Sequence, residues 1–109
     1  MTATTDCLTA SQRITAEVTS WPSVEAGPGR RGAFAFTVGR RSLGHLHGDH
    51  AAHFSFPKAV WAQLRQEGRI ENHPVFPGKQ GPAARRIEND ADIEDVIALL
   101  RLNYDRATG

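Results

Sequence analysis

The chain has 109 residues, 39% of them hydrophobic and 23% charged, with a formal net charge of +1. These values fit one globular domain and argue against a disordered or fibrous chain, and the length leaves no room for two cores of useful size. Cys7 is the only cysteine, so neither an internal disulfide nor a cysteine-rich metal centre can form.

Met1 to Gln12 lacks the basic start and apolar run of a signal peptide, and no later stretch approaches the length needed to span a bilayer. Export and membrane insertion are not expected, and a reducing cytoplasm is the natural setting. Residues 1–9 read as a flexible leader, in which Cys7 carries no nucleophilic role; residues 10–106 form the domain and residues 107–109 a tail. Thr9-Ala10-Ser11-Gln12 has the spacing of a capping box, and Ile14, Val18 and Trp21 follow at helical intervals until Pro22. A helix is therefore expected from about Ala10 to Ser20. Gly27-Pro28-Gly29-Arg30-Arg31-Gly32 reads as a loop. Without a Lys-Ser/Thr ending, and placed before a strand, it is not a phosphate cradle.

Phe34, Phe36 and Val38 alternate with Ala35 and Thr37, the period of a strand buried on one face. Gly39-Arg40-Arg41 turns the chain, and Ser42 to His47 returns as the second arm of a hairpin. In a third strand, Ala51 to Phe56, Ala52, Phe54 and Phe56 share one face while His53 and Ser55 share the other. Pro57 suits the first position of a helix that stops before Gly68 and buries Val60, Trp61 and Leu64. Glu71 to Phe76 reads as a short strand that Pro74 confines to an edge or an end, and Ala83 to Ile87 as another. Asn89 or Asp90 then caps a long helix with Ile93, Val96, Ile97, Leu100 and Tyr104 along one face. The class expected is α+β: a single, mostly antiparallel layer of about five strands packed by three helices.

Charge is unevenly spread. Between Arg30 and Arg86 lysines and arginines dominate, whereas Glu88, Asp90, Asp92, Glu94, Asp95 and Asp105 make the C-terminal segment acidic. A basic face can bind an anionic partner, and an acidic helix folded over a basic sheet gives the same pattern. The second reading is favoured, because no aromatic residues interleave the basic ones as base stacking would require. Nucleic acid is not an expected partner.

The concentrated chemistry lies in Gly44-His45-Leu46-His47-Gly48-Asp49-His50. Residues two apart on a strand project to one face, so His45 and His47 can aim at one point beside two glycines that leave room. His73 joins them if its strand lies nearby. Neutral imidazoles can act as general base and acid, with Asp49 orienting one ring. Alternatively His45, His47 and His73 can hold a divalent transition metal. The plainer reading is that these are hydrogen-bonded sheet residues without chemistry. His50, His53 and the Arg40-Arg41 pair read as solvated surface. A His-x-His strand also suits the cupin metal motif, but Ala51 and Ala52 stand where that motif has its glutamate, and interleaved helices do not suit a jelly roll.

Several passages together resemble the luciferase-domain family, which takes its name from fungal luciferase: Trp21-Pro22-Ser23-Val24, Leu43 to Asp49, Phe54-Ser55-Phe56-Pro57, Glu71-Asn72-His73, and Asp95 to Tyr104. The similarity runs from about Glu17 to Arg106. It implies a histidine-lined pocket for a small-molecule substrate and an oxidoreductase of oxygenase type. On that analogy His45, His47 and His73 surround an enolic or pyrone-type substrate, and a histidine removes the enol proton so that the ring reacts with oxygen without metal or flavin. No cofactor is then expected, the His-ligated metal enzyme and a non-enzymatic binding module with a basic face being the alternatives. The sequence departs from the family pattern at Pro82, where a tryptophan follows the glycine, and at His53, where an aspartate is usual. Fold alone does not fix substrate.

Overall fold

Thr9 opens the first helix as its spacing with Gln12 predicts: the Thr9 hydroxyl accepts from the Gln12 amide at 3.2 Å while the Gln12 side chain accepts from the Thr9 amide at 2.9 Å. The computed structural model describes residues 8–29 and 33–109. Cys7, most of the expected leader, and Arg30-Arg31-Gly32 of the glycine-rich loop lie outside the described residues. Helix α1 spans Ala10–Val18 and buries Ile14 and Val18.

Among the described residues six strands follow, where about five were expected. They are β1 (Val24–Pro28), β2 (Phe34–Val38), β3 (Arg41–His47), β4 (Ala51–Ser55), β5 (Glu71–Asn72) and β6 (Pro82–Arg86), with helix α2 (Lys58–Gln66) after β4 and α3 (Asp90–Thr108) at the end. They form one sheet in the order β1-β2-β3-β4-β6-β5, and every pairing is antiparallel. Strand β1 was not foreseen, because Val24-Glu25-Ala26-Gly27-Pro28 lacks alternation and contains a glycine and a proline. It forms as an edge strand, where an absent N–H on Pro28 can face away from the ladder. The strand expected over Glu71 to Phe76 stops at Asn72. Pro74 disfavours continued pairing, and the chain turns there, with the Phe76 amide donating to His73 O at 3.1 Å. Pro57 is the cap of α2 and not its first residue.

Helix α1 packs on α3, and α3 lies across β3 and β2. The core joins Phe36, Leu46, Ala52 and Phe54 of the sheet to Trp61 and Leu64 of α2 and to the buried stripe of α3. That stripe is Ile93, Val96, Leu99, Leu100, Asn103 and Tyr104, with Ile97 half-buried at its margin. Asn103 is the buried polar member. Its amide donates to Leu43 O at 3.0 Å and Ser55 O at 3.3 Å, tying the helix to two strands. Asn89, one of the two expected caps, accepts from the Asp92 amide and starts α3.

Part of the charge asymmetry is met inside the molecule. Arg85 of β6 donates to Asp92 at 2.6 Å and Asp95 at 2.7 Å, and Arg69 pairs with Asp95 at 2.7 Å. The acidic first turns of α3 therefore meet Arg85 of the sheet and Arg69 of the loop before β5. No described helix is long and apolar enough to cross a membrane.

Candidate functional site

Leu46 is buried in the core, so its neighbours His45 and His47 project from the opposite face of β3. The hairpin register then decides what stands beside them. His45 pairs with Ala35 on one side and His53 on the other, and His53 pairs in turn with Ala84. His47 pairs with Ala51. Alanines thus border the histidines along the row, and no bulky side chain from a paired strand crowds the rings.

Four imidazoles meet on this face. Ring centroids are 4.9 Å apart for His45 and His47, 5.3 Å for His45 and His53, 4.2 Å for His47 and His53, and 4.3 Å for His53 and His73. His45, His47 and His53 are half-buried, and each can offer a ring nitrogen within 4.8 Å of the others. His73 is buried just beyond β5, where the turn after Asn72 folds it back. Its Nδ1 accepts from the Val75 amide at 3.1 Å. In the neutral ring the proton then sits on Nε2, which makes His73 a donor through that nitrogen. Phe76 packs against His73 at 5.4 Å, with the Lys79 ammonium over its ring at 5.5 Å.

The rings suppress one another's charge. Burial, followed by the neighbouring His73, His47 and His45, holds His53 down at about 4. Burial first, and then His47 and His73, lowers His45; burial and His47 lower His73. The lowered rings are uncharged at neutral pH; His45 and His53 then keep a free lone pair, whereas that of His73 is taken by Val75.

The structure brings His45, His47 and His73 together as expected, and adds His53 between them. His53, which the sequence places at the surface, is half-buried among them. Its signal was present but non-local: the three-residue turn Gly48-Asp49-His50 pairs His47 with Ala51 and so sets His45 opposite His53. Asp49 is placed elsewhere. Its Oδ1 accepts from the Ser11 amide at 2.9 Å at the start of α1, and that bond lowers its pKa. His50 is exposed in the turn. Arg40 and Arg41 border a cavity of about 400 Å³ with Asn103 and Arg106. A larger cavity, about 530 Å³, is lined by Ser11, Thr15, Phe34, Leu46 and Gly48 on the helical side of the sheet, away from the histidines.

The family model of the luciferase domain matches residues 40–103, more than half of the chain. The chain belongs to the luciferase-domain family. Neither the curated proteins nor the solved structures give a match. Within this luciferase domain the matched span holds β3 to β6, α2 and most of α3, and with them all five histidines; α1, β1 and β2 lie outside it.

Proposed function

We propose that this luciferase-domain chain is an oxygenase-type enzyme that binds an enolic small molecule against the histidine-lined face of its sheet. The observation that carries this reading is the convergence of four imidazoles, from three separate segments, on one face bordered by alanines. His73 would donate from Nε2 to the substrate's enol oxygen, while a neighbouring imidazole accepts the enol proton. Loss of that proton leaves an enolate, whose carbon can bond to molecular oxygen. The proton then returns to give a hydroperoxide, and no outside reductant is consumed. Family membership supports the same chemistry by analogy.

Thermal-shift screening against enolic, pyrone and aromatic compounds tests the site without a known substrate, because a ligand that binds only the native state raises the melting temperature. Compounds that shift the wild type are expected to lose the shift in His47→Ala and His73→Ala, and at least one is expected to consume oxygen with wild-type protein only. Shifts retained in both variants would place binding elsewhere and end this reading.

A further inference from the structure

We propose that His45, His47 and His53 together bind one divalent transition-metal ion on the sheet face. The inference rests on the function proposed above and replaces one part of it: with all three rings on the ion, the ion's charge would acidify a bound enol and solvent water, not an imidazole, would take the proton, while His73 keeps its place as donor. Three observations carry it.

The first is position. Two ligands lie two residues apart on β3 and the third stands directly across the hairpin on β4, so the backbone ladder fixes all three Cα positions without help from a loop. Ring nitrogens already within 4.8 Å of one another need only modest side-chain rotation to reach the separation of about 3.3 Å that bonds of ~2.0–2.1 Å to a tetrahedral ion imply.

The second is the state of the donors. Among the described residues, the ring nitrogens of His45, His47 and His53 have no protein hydrogen-bond partner, whereas His73 accepts from Val75. Half-buried, these nitrogens reach solvent and are not committed to the sheet's own hydrogen bonds, so an ion can take them without breaking one. The nearby carboxylates are engaged as well: Glu71 pairs with Arg86 at 2.9 Å, and Asp49 accepts from Ser11. The free donors are therefore three imidazoles. That set suits zinc, copper, nickel or iron and not magnesium or calcium, which prefer oxygen ligands.

The third is what remains after three ligands are counted. Half-buried rings leave the outer side of the ion facing solvent, the arrangement of a site that takes water or substrate in an open position. Three neutral ligands also leave the ion's double charge unopposed, which favours an anionic oxygen such as an enolate. His73 is held with its Nε2 proton as a donor, 4.3 Å from the His53 ring, and stands as a positioning residue beside the ion instead of a ligand to it.

The test uses untagged full-length chain, stripped with a chelator and titrated with cobalt(II), whose visible spectrum reports tetrahedral nitrogen ligation; zinc then competes the band away. One equivalent is expected to bind wild type, His50→Ala and His73→Ala, and none to bind His47→Ala or His53→Ala. Circular dichroism checks folding, and His53→Gln replaces His53→Ala if the latter unfolds. Absence of a stoichiometric band in wild type, undiminished binding in the folded His53 variant, or loss in His73→Ala would each overturn this ligand set. Repeating the ligand screen on stripped protein separates the two proposals. Full ligand shifts without metal would overturn the ion's role in holding the substrate and leave the substrate face standing; metal binding without any ligand shift would sink the substrate reading and leave the ion.

Discussion

Gly44 shows how much one residue on β3 has to satisfy. Its φ is +149°, a region that side-chain-bearing residues rarely adopt, and a Cβ there would stand 2.9 Å from Leu100 Cδ2 and 3.0 Å from His53 O. It sits at the register shift that follows Phe36, where the ladder between β2 and β3 slips by one residue. Gly44→Ala is expected to destabilise the fold by about 1–3 kcal/mol, because α3 and β4 have no room to yield; equilibrium unfolding in urea would show it. Asp49 makes a contrasting case. Its carboxylate meets the first turn of α1, where a negative charge is favoured, so Asp49→Asn should cost ~0.3–1 kcal/mol in stability. If instead the variant keeps full stability and loses the ligand shifts, Asp49 serves the site and not the helix.

At the scale of elements, α3 packs on both α1 and the sheet. Leu64 of α2 and Leu100 of α3 are 3% and 1% exposed, and alanine at either should cost about 2–5 kcal/mol, while Ile97→Ala at the stripe's margin should cost less. Equal losses at Leu100 and Ile97 in chemical denaturation would contradict this placement. The elements legible in the sequence were those whose signal is local. Thr9 with Gln12, the alternation from Phe34 to Val38, and Asn89 ahead of an apolar stripe each report a structure that their own neighbours determine. Strand β1 is held by its partner and not by its own pattern, and β5 is cut short by the turn after His73. The site divides in the same way. His45 and His47 follow from a period of two along one strand, whereas His53 depends on how two strands align.

Across the whole molecule, acid acts on folding through His53. His53 faces His45, His47 and His73, with Arg86 and Glu71 paired on the neighbouring strands. Its folded pKa, about 4, lies below the 6.5 of an unperturbed ring, so the unfolded chain binds the proton more tightly. The stability of metal-free protein should therefore be full above pH 6.5 and decline as the pH falls towards 4, and His53→Gln should flatten that decline. A denaturation midpoint that stays constant over this window in wild type would show that the row is not coupled to folding. The β3–β4 hairpin also carries a consequence in time. His45, His47 and His53 all belong to that one hairpin, closed by the short turn at Gly48, whereas His73 and β6 are separated from it in sequence by α2. Contacts between residues close in sequence form before distant ones, because shorter loops cost less entropy to close. The three imidazoles should thus gather early during folding, ahead of His73 and the remaining sheet, and the amides of β3 and β4 should be among the first to gain protection in pulsed hydrogen exchange.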